Sequence, residues 1–391
     1  MFSIIATHLF FIIIFSLLDY PESIHDEHSD YPLAPERLVI TPAMLSATQK
    51  SLHPNNVEDI KDSLPKLVPN LYNKEKYIVH YRNLKQYLEY GMVLKKVHKI
   101  LAFDQAPWLE PYIKFNTLQR SRARNDFEKD FFKLMNNAVF GKTMENLRNR
   151  IKVDLLTDDF ILKKRAAQPT FKAFKIFHEN LVAVERLVSE LTLNRPIYAG
   201  FCILEMSKTL MYQWHYGYVK QRYPGEKSKL LFTDTDSLVY SIQTKDLYDD
   251  MLNDQDLFDF SGYPKEHPCF SNKNKKVIGK MKDELNSLKM DEFVGLRAKS
   301  YSVSYESNEM KKAKGVKKCV VKNNITHNDY KKCLMESIKF MHTMKTIRSY
   351  NHELFSIEQN KRTLSSYDDK RFILENNIDT LSHGHYKIKS L

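Results

Sequence analysis

Cysteine is scarce in this chain, and the few cysteines are too far apart to form a recognisable metal or disulfide framework. The four are Cys202, Cys269, Cys319 and Cys333. They make no Cys-x-x-Cys pair and no cluster with histidine, which disfavours both a structural zinc site and a disulfide-stabilised fold. This usage is typical of a reducing intracellular compartment, and we expect the nucleus rather than the mitochondrion.

The sequence also lacks a clear membrane span and a secretory signal. Residues 2–18 are strongly apolar but are interrupted by serine, threonine and histidine, whereas a span needs about 20 apolar residues. A signal peptide starts with basic side chains, yet the first lysine or arginine is Arg37. We interpret residues 1–18 as a truncated or mispredicted start that ends in a buried strand, with a signal anchor as the alternative. No stable membrane partner is expected.

Internal repeats and low-complexity segments are absent, and the composition is that of a globular protein. Of 391 residues, 42% are hydrophobic and 12% aromatic, which suffices for two or three subdomains with their own cores. Lysine and arginine number 60 against 48 acidic residues, a net charge of +12. This excess favours a polyanionic partner. Lysine-rich residues 271–282 and 311–318 are candidates for phosphate contacts, although solvated lysines are the usual explanation.

Residues 230–240 place two carboxylates between two apolar runs. Strand-forming residues flank a short polar centre, which predicts a β-hairpin with Asp234 and Asp236 at its tip. Two hard oxygen ligands beside buried strands suit Mg²⁺, which completes its coordination with water and substrate phosphates. An ordinary polar turn explains the same residues, because aspartate and threonine are common in turns. The stretch alone leaves both interpretations open.

A second polar pattern lies on a predicted helix. Residues 117–150 contain no proline and follow helical spacing. One apolar stripe, predicted to be buried, consists of Phe127, Phe131, Leu134 and Ala138. Lys129, Lys133 and Asn137 recur every four residues on another face. Two ammonium groups one turn apart repel each other unless an anion such as a triphosphate lies between them; a solvated basic face is the alternative.

Three motifs, in order, resemble those of one enzyme family. Lys133-x3-Asn137-Ala138-x-Phe140-Gly141 is similar to the Lys-x3-Asn-Ser-x-Tyr-Gly fingers motif of family B DNA polymerases. Phe232-Thr233-Asp234-Thr235-Asp236-Ser237 resembles their Tyr-x-Asp-Thr-Asp-Ser palm motif, and Lys299-Ser300-Tyr301 resembles their Lys-x-Tyr motif. The surrounding sequence is most similar to the protein-primed subgroup, within it to polymerases of self-synthesising eukaryotic transposons and related viruses.

The resemblance implies an α+β polymerase fold of palm, helical fingers and C-terminal thumb, without the exonuclease domain. It implies the following division: an apolar segment at 1–18, a palm and insertion region at 19–110, fingers at 111–150, palm with the aspartate hairpin at 151–300, and a thumb at 301–391. The implied partners are a DNA template-primer, a dNTP and a terminal priming protein.

The resemblance also assigns roles to individual residues. Asp236 matches the principal ligand of two Mg²⁺ ions, and Asp234 matches a supporting acid. The residues matched to nucleotide binding are Lys129, Lys133, Asn137, Phe140 and Gly141. Lys299 and Tyr301 match residues that contact the primer strand. We expect the two residues to lie on one strand, where their spacing puts both side chains on the same face.

The family's first acidic motif, Asp-x-x-Ser-Leu-Tyr-Pro, is missing. Asn70-Leu71-Tyr72 mimics its core, but Leu67 stands in place of the aspartate, and Asp19-Tyr20-Pro21 has the wrong spacing. Loss of one metal ligand in such a site costs orders of magnitude in rate. We therefore expect a template-directed DNA polymerase that is truncated and weakly active or inactive. The alternatives are a dead remnant that binds DNA or nucleotide and, more remotely, a Mg²⁺-dependent nuclease.

Other segments are predicted from periodicity. Strands are expected at residues 77–81 and 151–156, and a helix at 83–103. A long helix should follow Pro196 and pack beneath the aspartate hairpin. Its apolar face is formed by Ile203, Leu204, Ser207, Leu210, Met211 and Trp214.

Overall fold

The computed structural model describes residues 10–53 and 63–390, which form two compact units. Unit 1 comprises Met1–Ala106, Glu205–Met344 and Asn360–Leu391, and unit 2 comprises Pro107–Leu204 and Lys345–Gln359. Helices are combined with small antiparallel sheets, which confirms the predicted α+β class. The boundaries of palm, fingers and thumb stay predictions.

The described strands are mostly short. They are β1 (Phe10–Asp19), β2 (Glu36–Leu38), β3 (Lys66–Val68), β4 (Lys74–His80), β5 (Val93–Asp104), β6 (Lys152–Leu156), β7 (Phe171–His178), β8 (Leu181–Arg186), β9 (Ser228–Asp234), β10 (Ser237–Ile242), β11 (Glu292–Arg297), β12 (Ser300–Tyr305), β13 (Asn308–Ala313), β14 (Phe340–Tyr350), β15 (Glu353–Leu364), β16 (Phe372–Ile373) and β17 (Thr380–Leu381). Four of them have ten residues or more: β1, β5, and the two strands of a long hairpin near the C-terminus, β14 and β15.

The described α-helices vary from single turns to five turns. They are α1 (His25–His28), α2 (Ala47–Leu52), α3 (Tyr81–Glu89), α4 (Glu110–Arg122), α5 (Asp126–Thr143), α6 (Asp159–Ala166), α7 (Ile197–Tyr212), α8 (Lys220–Arg222), α9 (Leu247–Asn253), α10 (Lys318–Asn324) and α11 (His327–Met335). A π-helix, Gln213–Val219, joins α7 to α8. The strand predicted at residues 151–156 is present as β6, in a sheet of order β6-β8-β7.

Strand β1 is the centre of a three-stranded sheet in unit 1, with the order β4-β1-β5. Ile14 pairs with Val79 on one side and with Ile100 on the other. Leu18 is fully buried in the main hydrophobic core. The strand predicted at the end of the apolar segment is therefore present, while residues 1–9 lie outside the described residues. In the part of the chain that the structure describes, no helix is long and apolar enough to cross a membrane.

The helix predicted over residues 83–103 is wrong beyond its first turns. Helix α3 ends at Glu89, and Gly91 follows with a left-handed φ of 97°. The chain then returns as β5, which pairs with the whole length of β1. Tertiary pairing has outweighed the helical spacing of the apolar residues. The strand predicted at residues 77–81 is present as part of β4.

The segment predicted to be helical over residues 117–150 is divided into α4 and α5, and α5 ends at Thr143. The break falls between Arg122 and Asp126, where the Asn125 side chain caps α5 by accepting a hydrogen bond from the Glu128 amide at 2.8 Å. Asparagine favours this position because its side-chain oxygen satisfies a free amide of the first turn. The predicted buried stripe is exposed in all four members: Phe127, Phe131, Leu134 and Ala138.

The helix predicted after Pro196 is confirmed as α7 and its π-helical continuation. Its buried side chains in unit 1 include Met211, as predicted, together with Glu205 and Met206. Leu204, predicted to belong to the apolar face, is 40% exposed. The polar side chain of Glu205 is accommodated by a hydrogen bond from Asn83 at 2.8 Å.

The C-terminal segment after β15 is anchored on N-terminal residues of the same unit. The Arg371 guanidinium donates to the Ser29 carbonyl at 2.8 Å, and the Gln49 amide donates to the Asp368 and Arg371 carbonyls at 2.7 and 2.8 Å. Lys389 pairs with Glu22 at 2.8 Å. These contacts join residues near the N-terminus to residues near the C-terminus within unit 1.

Candidate active site

The predicted hairpin is present, and its tip carries the two aspartates. Strands β9 and β10 are antiparallel, with Asp234 opposite Ser237. Thr235 adopts a left-handed φ of 61°, and the Asp236 amide donates to the Asp234 carbonyl at 2.7 Å. The left-handed tip lets a two-residue turn follow the twist of the strands. The Asp234 side chain is 19% exposed, whereas Asp236 is an exposed residue.

The Lys-x-Tyr motif meets this tip through its lysine. The Lys299 ammonium lies 3.1 Å from Asp234 Oδ1. Lys299 occupies the turn between β11 and β12, with a left-handed φ of 62°, and its carbonyl accepts from the Lys314 amide at 2.9 Å. The expectation that Lys299 and Tyr301 lie on one strand and share a face is therefore wrong, because only Tyr301 belongs to β12. A primer contact for Lys299 stays a prediction.

Tyr301 packs on the hairpin. Its ring centroid lies 4.6 Å from that of Phe232 on β9 and 6.0 Å from that of Phe293 on β11. Tyr301 is only 9% exposed, and the Lys312 ammonium lies 5.8 Å above its ring. The aromatic contact joins the motif at residues 232–237 to the Lys-x-Tyr motif. Contact of Tyr301 with a primer likewise stays a prediction.

The hairpin rests on the π-helix, as predicted for the helix after Pro196. A 3.0 Å hydrogen bond joins the Tyr240 hydroxyl on β10 to His215 Nδ1, and the two rings stack with centroids 5.8 Å apart. Burial lowers the pKa of His215 to about 3, so the imidazole is neutral near pH 7. Burial also raises the pKa of Tyr240 far above its ordinary value. His215 could not be identified from the sequence, because no residue spacing predicts a π-helix. In known structures π-helical turns are frequent at functional sites.

The predicted nucleotide-binding residues all lie on α5 in unit 2. They are Lys129, Lys133, Asn137, Phe140 and Gly141. Lys129 is exposed and 3.5 Å from Asp126, and Lys133 is exposed. A Cβ added at Gly141 would meet no atom within 4 Å, which leaves open space beside the helix. That these residues share a cleft with Asp236 stays a prediction, because the hairpin belongs to unit 1.

The donor set at the tip suits one divalent ion rather than two. Asp234 and Asp236 offer hard carboxylate oxygens, which Mg²⁺ prefers. Among residues 10–53 and 63–390, no group of three or more histidine, cysteine, aspartate or glutamate side chains could hold a metal ion. Asp234 is in addition neutralised by Lys299. A single ion on Asp236, completed by water or phosphate oxygens, is the arrangement that the residues fit.

The residues considered for the family's first acidic motif have other roles. Leu67 lies on β3 and is 54% exposed, and Asn70 is fully buried. Asn70 donates to Val68 and Glu36, while its side-chain oxygen accepts from the Lys74 ammonium. Asp19 forms an ion pair with Lys95 at 3.2 Å.

Comparison with known proteins adds no relative. No protein-family model matches the chain, and neither a curated protein nor a solved structure does. The family resemblance consequently rests on the three sequence motifs. The contacts among Phe232, Asp234, Lys299 and Tyr301 are an independent observation about two of those motifs.

Proposed function

We propose that this chain is the polymerase portion of a template-directed DNA polymerase that adds a dNTP to a primer 3′-hydroxyl. The observation that carries the proposal is the junction of two motifs that are far apart in sequence. Asp234 pairs with Lys299, and Phe232 packs on Tyr301.

In this proposal each motif has a distinct task. Asp236, supported by Asp234, would hold a divalent ion; such an ion would supply activation of the primer hydroxyl and charge stabilisation of the pyrophosphate leaving group. Lys133 supplies a point charge for the triphosphate of the dNTP. Lys299 holds the tip in position and offers a cation to the primer phosphates.

The basic surface of unit 1 supports a nucleic-acid partner. Both lysine-rich stretches contain exposed lysines, including Lys275, Lys276, Lys314, Lys317 and Lys318. Other lysines in these stretches are already engaged: Lys273 pairs with Asp256 at 2.7 Å, and Lys311 with Glu309 at 2.9 Å. Contacts to phosphates give affinity without sequence preference, as a polymerase requires along its duplex.

A catalytically weak or inactive state is the second candidate, and a specific observation favours it. Only Asp236 is available as an unpaired carboxylate at the tip, because Lys299 neutralises Asp234. Two close Mg²⁺ ions repel each other unless carboxylates bridge them. In this candidate the chain binds primer-template DNA and nucleotide but extends the primer slowly or not at all.

Primer extension tests the proposal and separates the candidates. The assay uses the full chain, a labelled primer-template, all four dNTPs, and either Mg²⁺ or Mn²⁺. We expect little extension, dictated by the template and abolished in Asp236→Ala. Extension that is robust and sensitive to Asp236→Ala would show that another carboxylate completes the site. Shortening of the primer would instead indicate a nuclease, and products unaffected by Asp236→Ala would remove this hairpin from the chemistry.

A further inference from the structure

Lys299 is held in a conformation that its sequence does not favour. Its φ of 62° is left-handed, where non-glycine residues carry a Cβ penalty of about 1 kcal/mol or more. Thr235, next to Asp234, has the same kind of backbone at φ 61°. Two strained turns therefore meet at the Asp234–Lys299 ion pair.

The surroundings of Lys299 are well defined. Strand β12 pairs on both sides, with β11 and β13, and the Lys314 amide donates to the Lys299 carbonyl at 2.9 Å. Tyr301, two residues later, packs on Phe232 of the hairpin. The ammonium is thus presented to Asp234 from a fixed base, while its side chain remains 55% exposed and free to meet another anion.

We propose that Lys299 acts as an internal cation that blocks Asp234 as a metal ligand until a primer phosphate draws the ammonium away. The proposal rests on the proposed function in taking the tip as the divalent-ion site. In the absence of DNA, Asp234 is neutralised and Asp236 alone holds the ion. When a DNA phosphate engages Lys299, Asp234 becomes a second ligand. Lys299 is accordingly a positioning residue that couples metal binding to primer binding.

The coupling follows from charge. A unit positive charge repels a divalent ion a few ångströms away, and Lys299 also occupies one of the oxygens the ion would use. Half-exposed ion pairs are modest in strength, so removing the ammonium should tighten ion binding about five- to tenfold. Linkage requires the reciprocal effect, in which the ion raises affinity for DNA by the same factor by which DNA raises affinity for the ion.

The test measures Mn²⁺ binding without DNA, by following free Mn²⁺ with electron paramagnetic resonance. The variants are Lys299→Met, Lys299→Arg and Asp236→Asn, and Lys314→Met is the control because it removes an exposed lysine from the neighbouring turn. We expect Lys299→Met to bind Mn²⁺ about five- to tenfold more tightly. Lys299→Arg, which keeps the cation, and Lys314→Met should stay within about twofold of wild type, and Asp236→Asn should lose the site.

A second titration adds a primer-template duplex with a 3′-dideoxy end. The duplex should tighten Mn²⁺ binding to wild type about fivefold and leave Lys299→Met nearly unchanged. Unchanged or weaker Mn²⁺ binding by Lys299→Met without DNA would overturn the inference, as would a failure of both wild type and Lys299→Met to bind Mn²⁺ at all. Tighter Mn²⁺ binding by Lys299→Met in a protein that binds the primer-template but never extends it would keep this inference and remove the proposed polymerase activity.

Discussion

Mild acid should destabilise unit 1, because burial lowers the pKa of several of its histidines, and of three of them strongly. The side chains of His28, His80 and His215 are almost fully buried. Burial lowers the pKa of His28 and of His80 to about 4, and that of His215 to about 3. Their ordinary value of 6.5 applies when the chain is unfolded.

The sign and size of the effect follow from proton linkage. Between the folded and unfolded pKa values, the unfolded chain binds protons that the folded chain refuses, so the free energy of unfolding falls as the pH falls below about 6.5. At about pH 5.5, each histidine lowers that free energy by about 1.4 kcal/mol relative to about pH 8. The three together should lower it by about 4 kcal/mol, a large part of the stability of an ordinary domain.

Urea unfolding at the two pH values measures this difference. His28→Gln should lose about 1.4 kcal/mol less than wild type on acidification, whatever its stability at about pH 8. His98→Gln is the matched control, because His98 is exposed on β5 of the same unit. The comparison isolates one histidine, since Asp368, whose pKa burial raises, titrates in both proteins. An equal acid response in His28→Gln and wild type would refute the reasoning.

The remaining predictions concern binding and packing. Lys133→Ala should weaken dNTP binding several-fold in the ternary complex with primer-template. The control is Lys142→Ala, on the same helix but paired with Glu145, which should leave dNTP binding unchanged. Equal losses of dNTP affinity in the two variants would remove Lys133 from the nucleotide site. Duplex affinity should fall with salt, and Lys299→Ala should reduce the slope of log affinity against log salt by about 1; a salt-independent affinity would contradict a phosphate contact. Arg371→Met should lower the urea stability of unit 1 by about 2–3 kcal/mol, because it removes four hydrogen bonds to three residues; an unchanged midpoint would show that the C-terminal anchor contributes little.

The elements that could be predicted from the sequence are those formed by residues close together in the chain. The hairpin around Asp234 and Asp236 could be predicted because its strand-formers and turn residues lie within a dozen positions. The cap at Asn125 was also a local signal, since asparagine followed three residues later by Glu128 is typical of a helix start. This cap signal predicts a helix start at Asp126, and so a division between α4 and α5, within a segment that otherwise follows an unbroken helical pattern.

The features that the sequence could not supply depend on distant partners. Strand β5 follows helical spacing in sequence, but pairing with β1 determines its conformation. Lys299 pairs with Asp234, and Tyr240 hydrogen-bonds to His215. Both contacts join segments that are far apart in the sequence, so no local pattern predicts them. Phe127 was predicted to be buried but is exposed. An apolar stripe on a helix is buried only where another surface packs against it, and the sequence does not say whether one does.

The most direct test of the proposed function is whether the correct dNTP stabilises the complex of this chain with a primer-template. A 3′-dideoxy primer prevents extension, so the measurement is independent of catalytic rate. Dissociation of a fluorescent duplex is followed after addition of excess heparin, with Mn²⁺ and each dNTP in turn. We predict that only the dNTP complementary to the template base slows dissociation, by about tenfold, equivalent to about 1.4 kcal/mol. Equal dissociation rates with all four dNTPs would contradict the account of this chain as a template-directed polymerase.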